Sequence, residues 1–172
     1  MRLLEVVGLA KRFGSHDVLA GVSFTVEEGH VVALVGPAGS GKSTCLGCIA
    51  GTLVPDGGRV VFDGRDITRE PPGRPDRRGL LLSPPASPIA PGARLILLDD
   101  GADAAATVPA LRARGVTVLI TVRQLGPPRD LVDSVIMLDQ GRAVATGAAQ
   151  RPWRSAARQS DEVPQPPLNR YR

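Results

Sequence analysis

Residues 36–44 read GPAGSGKST and fit the pattern G-x-x-x-x-G-K-[ST], with Gly36, Gly41, Lys42 and Ser43 in register. Each residue type has a physical reason. Glycines let a backbone wrap closely around phosphates, and successive N–H groups turned inward form an anion nest. Pro37, Ala38, Gly39 and Ser40 complete the loop, and Thr44 follows it. A helix opening near Lys42 aims the positive end of its dipole at the same point. The Lys42 ammonium reaches the terminal phosphates, and the Ser43 hydroxyl completes a magnesium shell. The pattern therefore points to the polyphosphate of ATP with Mg2+ as cofactor.

Such a loop needs an acidic group on a neighbouring strand to hold magnesium through water. The segment Leu95-Ile96-Leu97-Leu98-Asp99-Asp100 supplies it: four apolar residues end in two carboxylates. A buried strand of this kind presents Asp99 at its C-terminal end, where open α/β sheets bind ligands. Ser43 and Asp99 are thus the candidate metal-holding residues.

Local patterns predict the elements that carry these groups. Val31–Val35 is a continuous apolar run stopped by Gly36, which suits a strand buried on both faces. Lys42–Ala50 reads as a helix closed by Gly51. Further strands are expected at 2–7, 23–26, 59–62, 79–82, 94–98 and 116–122, with a short helix at Val108–Arg114 whose first turn holds Pro109. Ser134–Leu138 and Arg142–Thr146 flank Asp139-Gln140-Gly141 as a hairpin. Seven of the sixteen prolines lie between Pro71 and Pro91, so that stretch cannot hold a long helix. Strands alternating with helices predict an α/β fold like that of P-loop NTPases. Its sheet is mainly parallel, with an N-terminal antiparallel β portion and a C-terminal hairpin.

Bulk properties narrow the classes. Hydrophobic residues make up 42% and charged residues 22%, a globular composition. The apolar runs are far too short to span a bilayer as helices, and the N-terminus has no signal-peptide pattern. Residues 1–150 are expected to form one domain, and 151–172 a basic, disordered tail with five Arg against Asp161 and Glu162. No basic surface interleaved with aromatics supports a nucleic-acid partner. Cys45 and Cys48 lie inside the expected helix with no second ligand pair, so they read as small packing residues.

The chain resembles the ATP-binding subunits of ABC transporters. The resemblance is carried by LAKRFGSHDVLAGVSFTVEEG, by the Walker A loop GPAGSGKST, by AGTLVPDGGRVVFDGRDI, by the Walker B strand Arg94–Asp100 and by LVDSVIMLDQGRAVATG at Leu131–Gly147. It implies that Phe13 stacks on adenine. It also implies a membrane permease and a second nucleotide-binding subunit as partners, and a cytoplasmic place at the inner face of the membrane. Departures accompany it. No LSGGQ signature occurs, and only Pro84–Ala93 lies where a helical subdomain belongs. Ser83 takes the place of the Q-loop glutamine, Asp100 of the catalytic glutamate, Gly101 of a proline, Ala106 of the D-loop aspartate and Val122 of the switch histidine. Binding groups are kept while hydrolytic groups are altered, so ATPase activity is expected to be weak or lost. Two other readings remain open on sequence: a P-loop kinase-like phosphotransferase, for which Arg69–Arg78 is a candidate lid, and a non-catalytic ATP-binding regulatory module.

Residues 151–172 offer little apolar area to offset the entropy of ordering. Limited proteolysis of the native protein is expected to trim this stretch first; a resistant C-terminus would contradict the domain boundary near residue 150.

Overall fold

The computed structural model describes residues 1–71, 79–83, 91–99, 104–124 and 131–149. Two long strands, β1 (Arg2–Phe13) and β2 (His16–Glu27), open the chain as an antiparallel hairpin. They run well beyond the short segments that the sequence predicts at 2–7 and 23–26. Register shifts between Val6 and Leu9, Leu9 and Ala10, and Lys11 and Arg12 explain the difference. Each irregularity breaks the two-residue alternation that marks a strand in sequence.

The next strand, β3 (Val31–Val35), is buried throughout and leads into α1 (Lys42–Ala50). After α1 the chain returns to the first sheet through β4 (Gly57–Phe62) and the two-residue β5 (Arg65–Asp66), giving the order β2-β1-β4-β5. The second sheet gathers β3 with β6 (Leu80–Ser83) and β7 (Leu95–Leu98). Then follow α2 (Ala104–Ala113), β8 (Thr117–Val122), β9 (Ser134–Asp139) and β10 (Arg142–Ala148). Its order is β10-β9-β3-β8-β7-β6, with parallel pairing except for the antiparallel β10 edge. A mainly parallel sheet, an antiparallel N-terminal portion and a closing hairpin are all present.

Alternate residues of the parallel strands serve two cores, as the pleat requires. Val32, Leu34, Leu95, Leu97 and Leu119 meet Cys45, Leu46 and Ile49 of α1, and behind α1 stand Leu4, Val22 and Phe62 of the antiparallel sheet. Val31, Ala33, Ile96 and Val118 face the other way, onto Val108 and Leu111 of α2. Helix α1 is thus enclosed between the sheets, and Cys45–Ala50 are all buried. At the end of the molecule where β3 and β7 begin, Arg94 donates one guanidinium nitrogen to Asp63 and another to Glu28, tying the two sheets together.

One sequence expectation is corrected. The helix predicted at Val108–Arg114 starts earlier, at Ala104, and ends at Ala113, so Pro109 lies inside it rather than in its first turn. Val108 and Leu111 are 2% and 0% exposed, and their packing on the sheet outweighs the hydrogen bond that proline removes. Asp100, Gly101, most of Pro84–Ala93 and the stretch 151–172 lie outside the described residues.

Ile49 is fully enclosed between the two sheets. Ile49→Ala should lower unfolding free energy by about 2–5 kcal/mol, with the slope of urea denaturation unchanged. A loss below about 1 kcal/mol, the range of surface changes, would contradict the position of α1.

Candidate functional site

The loop between β3 and α1 is shaped by its neighbours. Gly36 N–H donates to the Val122 carbonyl at 3.2 Å, at the end of the adjacent strand. Ser40 N–H donates to the Pro37 carbonyl at 3.2 Å, and the Ser40 carbonyl accepts from Gly141 N–H at 3.1 Å. A side chain at Gly36 would collide with the Leu138 carbonyl. Gly41 has φ +98° and would place a Cβ 2.8 Å from the Val18 carbonyl, so both its conformation and its surroundings require glycine. The helix then begins, with Cys45 N–H donating to the Gly41 carbonyl at 2.8 Å. Ser40 is buried, while Pro37, Ala38 and Gly39 form the exposed crest.

Lys42 folds back across this curve. Its Nζ donates to the carbonyls of Gly36 and Pro37, both at 2.7 Å, and lies 3.3 Å from Ser40 Oγ. These bonds fix a positive charge inside the loop. One residue on, Ser43 Oγ donates to Asp99 Oδ1 at 3.2 Å. Lys42, Ser43 and Asp99, three groups expected from the sequence, therefore meet at the C-terminal end of the parallel sheet.

A fourth group was passed over in the sequence. Thr121 on β8 is buried, and its Oγ1 lies 2.6 Å from the same Asp99 oxygen. Its signal was a hydroxyl near the end of the apolar run Val116–Val122. The neighbouring Val122 has an apolar, partly buried side chain, so only its backbone serves the loop.

Phe13 lies near the tip of the β1–β2 hairpin and is 49% exposed, which excludes a core role. The Lys11 ammonium sits 5.4 Å from the ring centroid. Asp56 anchors this end of β1: Arg12 N–H donates to Oδ2 at 2.7 Å, and Lys11 Nζ reaches Oδ1 at 3.4 Å and the Val54 carbonyl at 2.8 Å. The Arg12 amide first, and then Lys11, hold the Asp56 carboxyl below its usual range. The Val18 carbonyl of the same hairpin abuts Gly41, so the element bearing Phe13 is seated against the loop.

The donors fit a hard divalent cation. Ser43 Oγ and the Asp99 carboxylate are oxygen ligands, as Mg2+ prefers, and they are few, as befits an ion that keeps waters and phosphate oxygens. Among the described residues, no group of three or more His, Cys, Asp or Glu could hold a metal unaided.

A family model described as ABC transporter matches residues 19–85, from β2 through the loop between β3 and α1 to the segment after β6. Over these residues the chain is similar to the ABC transporter family. The sulfate/thiosulfate import ATP-binding protein CysA of Synechococcus elongatus is 51% identical over 67 residues, 39% of this chain and 20% of that protein. The arginine transport ATP-binding protein ArtM of Bacillus subtilis is 45% identical over 67 residues, 39% of this chain and 28% of that protein. The chain thus spans only 20% to 28% of the length of these relatives. An ATP-binding cassette of an ABC transporter, solved in its ADP conformation, superposes with a TM-score of 0.78. The match has 22% identity and covers 86% of this chain and 91% of that one, so it establishes a shared fold.

Within this ABC-type fold, Cys45 and Cys48 are both buried in α1 behind the loop. Burial pushes the Cys45 thiol up strongly and the Cys48 thiol up to about 11. Both should stay protonated and inert in the native protein at pH 8, with two thiols titrated by an aromatic disulfide reagent only after denaturation. The unfolded chain loses these protons before the folded one, so their contribution to stability is intact below the ordinary thiol range and falls as pH rises above it. Rapid labelling of native protein would sink this assignment.

Proposed function

We propose that the chain is an ATP-binding module of the ABC transporter type that holds ATP with Mg2+ and hydrolyses it weakly or not at all. The observation that carries this reading is the convergence of Lys42, Ser43 and Asp99 at one end of the sheet, with Lys42 Nζ 2.7 Å from two loop carbonyls and Ser43 Oγ 3.2 Å from Asp99.

On this reading the residues divide the work. Backbone amides of Ala38, Gly39, Gly41, Lys42, Ser43 and Thr44 face the polyphosphate at the N-terminus of α1, while the Gly36 and Ser40 amides, bonded to the Val122 and Pro37 carbonyls, shape the loop. Lys42 exchanges part of its contact with the loop carbonyls for the terminal phosphates. Ser43 and Asp99 would hold Mg2+, which would supply positive charge to offset that of the polyphosphate. Phe13 offers one ring face to adenine, which gives a modest base preference. By the family resemblance, Asp100 takes the sequence position of the general base that orients water.

Hydrolysis is the weaker half. Asp100 is one methylene shorter than the glutamate that the family resemblance expects. Val122 supplies no side-chain hydrogen bond to a terminal phosphate. The chain carries no LSGGQ segment to complete a partner's site. Partners on this reading are a membrane permease and a second nucleotide-binding subunit, which places the chain at the inner face of the membrane. Among the described residues no helix is long and apolar enough to cross it.

ATP with Mg2+ should raise the melting midpoint, since ligand at a hundred times its Kd stabilises by about 2.7 kcal/mol. Lys42→Ala should abolish the shift; an equal shift in that variant, or none in the wild type, would defeat the assignment.

Phosphate release by the purified chain should stay close to a Lys42→Ala blank, because removing one preorganised transition-state contact costs about a hundred- to a thousandfold. Turnover of about 1 per second, an ordinary enzymatic rate, that disappears in Lys42→Ala would show the hydrolytic groups to be intact.

A further inference from the structure

Thr121, near the end of β8, has 1% of its surface exposed. A buried hydroxyl is costly unless it is hydrogen-bonded. Its Oγ1 lies 2.6 Å from Asp99 Oδ1. An ionised carboxylate can only accept, so the hydroxyl proton is given to Asp99. The same oxygen takes the Ser43 hydroxyl at 3.2 Å. The donor is on a fixed element: β7 and β8 run parallel with Leu98 opposite Ile120, so the next residues of both strands, Asp99 and Thr121, adjoin at the sheet's end. Asp99 itself lies just past β7 and is only partly buried, so its carboxylate needs a second anchor to hold one rotamer.

We infer that Thr121 is a positioning residue that orients the Asp99 carboxylate toward Ser43 and so sets the affinity for magnesium-bound nucleotide. The inference rests on the ATP·Mg2+ reading above. Thr121 acts through Asp99, to which its hydroxyl donates. Its effect is therefore confined to the magnesium-dependent part of binding, because the phosphate contacts of Lys42 and the loop amides do not pass through Asp99. A role in strand packing alone would instead weaken binding equally with and without the ion.

Isothermal titration of the whole chain with ATP, once in Mg2+ and once in EDTA, separates these cases. Thr121→Val keeps the shape and deletes the hydroxyl; Thr121→Ser keeps the hydroxyl. Thr121→Val should weaken binding in Mg2+ by roughly ten- to a hundredfold, the range for partners that orient metal ligands, and leave binding in EDTA unchanged. Thr121→Ser should restore the wild-type difference. If Thr121→Val loses its native circular dichroism, Thr121→Ala, which sets no methyl beside the carboxylate, is read in its place. Unchanged affinity in Mg2+, or an equal loss in both buffers, overturns the inference while the nucleotide reading stands. A wild-type chain that binds ATP no better in Mg2+ than in EDTA overturns both.

Discussion

The loop between β3 and α1 has no room to be anything else. Gly36 is pressed against the Leu138 carbonyl, Gly41 against the Val18 carbonyl, and Gly141 N–H holds the Ser40 carbonyl. Three separate elements, β2, β9 and the β9–β10 turn, therefore define one curve of backbone. Ala20 N–H donating to the Gly141 carbonyl at 2.8 Å closes the set. The positions of Lys42 and Ser43 follow from that curve, since they are the first residues of the helix it feeds. A cradle built this way is preorganised: little conformational freedom remains to be lost when an anion enters.

Much of this was legible in the chain, and the exceptions have physical causes. Val31–Val35 and Leu95–Leu98 stood out because strands buried on both faces favour continuous apolar runs, and Val116–Val122 departs from that pattern only at Thr117 and Thr121. GPAGSGKST identified itself by type and spacing. The β1–β2 hairpin was visible only in part, because bulges near Leu9 and Lys11 disrupt alternation. The start of α2 was misplaced because Pro109 was given a first-turn position, whereas burial of Val108 and Leu111 sustains a longer helix. Thr121 escaped notice for a different reason. Its role depends on which strand lies beside Asp99, and pairing of β7 with β8 is a tertiary fact that no local window contains.

At the end of β8 the backbone and the side chain of one residue face different surroundings. Val122 has an apolar side chain, yet its carbonyl accepts the Gly36 amide at 3.2 Å. Shaping of the loop uses this backbone group, while the Val122 side chain packs against the core that faces α2. Contact with a terminal phosphate needs a polar one. Changes of type at this point can therefore remove chemistry without disturbing the binding loop, and the same holds one strand away, where Asp99 keeps its bond to Ser43.

Enclosure of α1 has a mechanical consequence. From Cys45 to Ala50 the helix has no face on solvent; one side lies on the parallel sheet and the other on the antiparallel one. Such a helix has no direction in which to slide, because close-packed interiors resist small displacements. It behaves as an anvil. Any push or pull on the loop before α1 passes through the helix into both sheets at once, so the two layers answer as a single rigid block. Shape change that accompanies the coming and going of a ligand is then left to parts outside that grip, such as the exposed tip of the β1–β2 hairpin that carries Phe13.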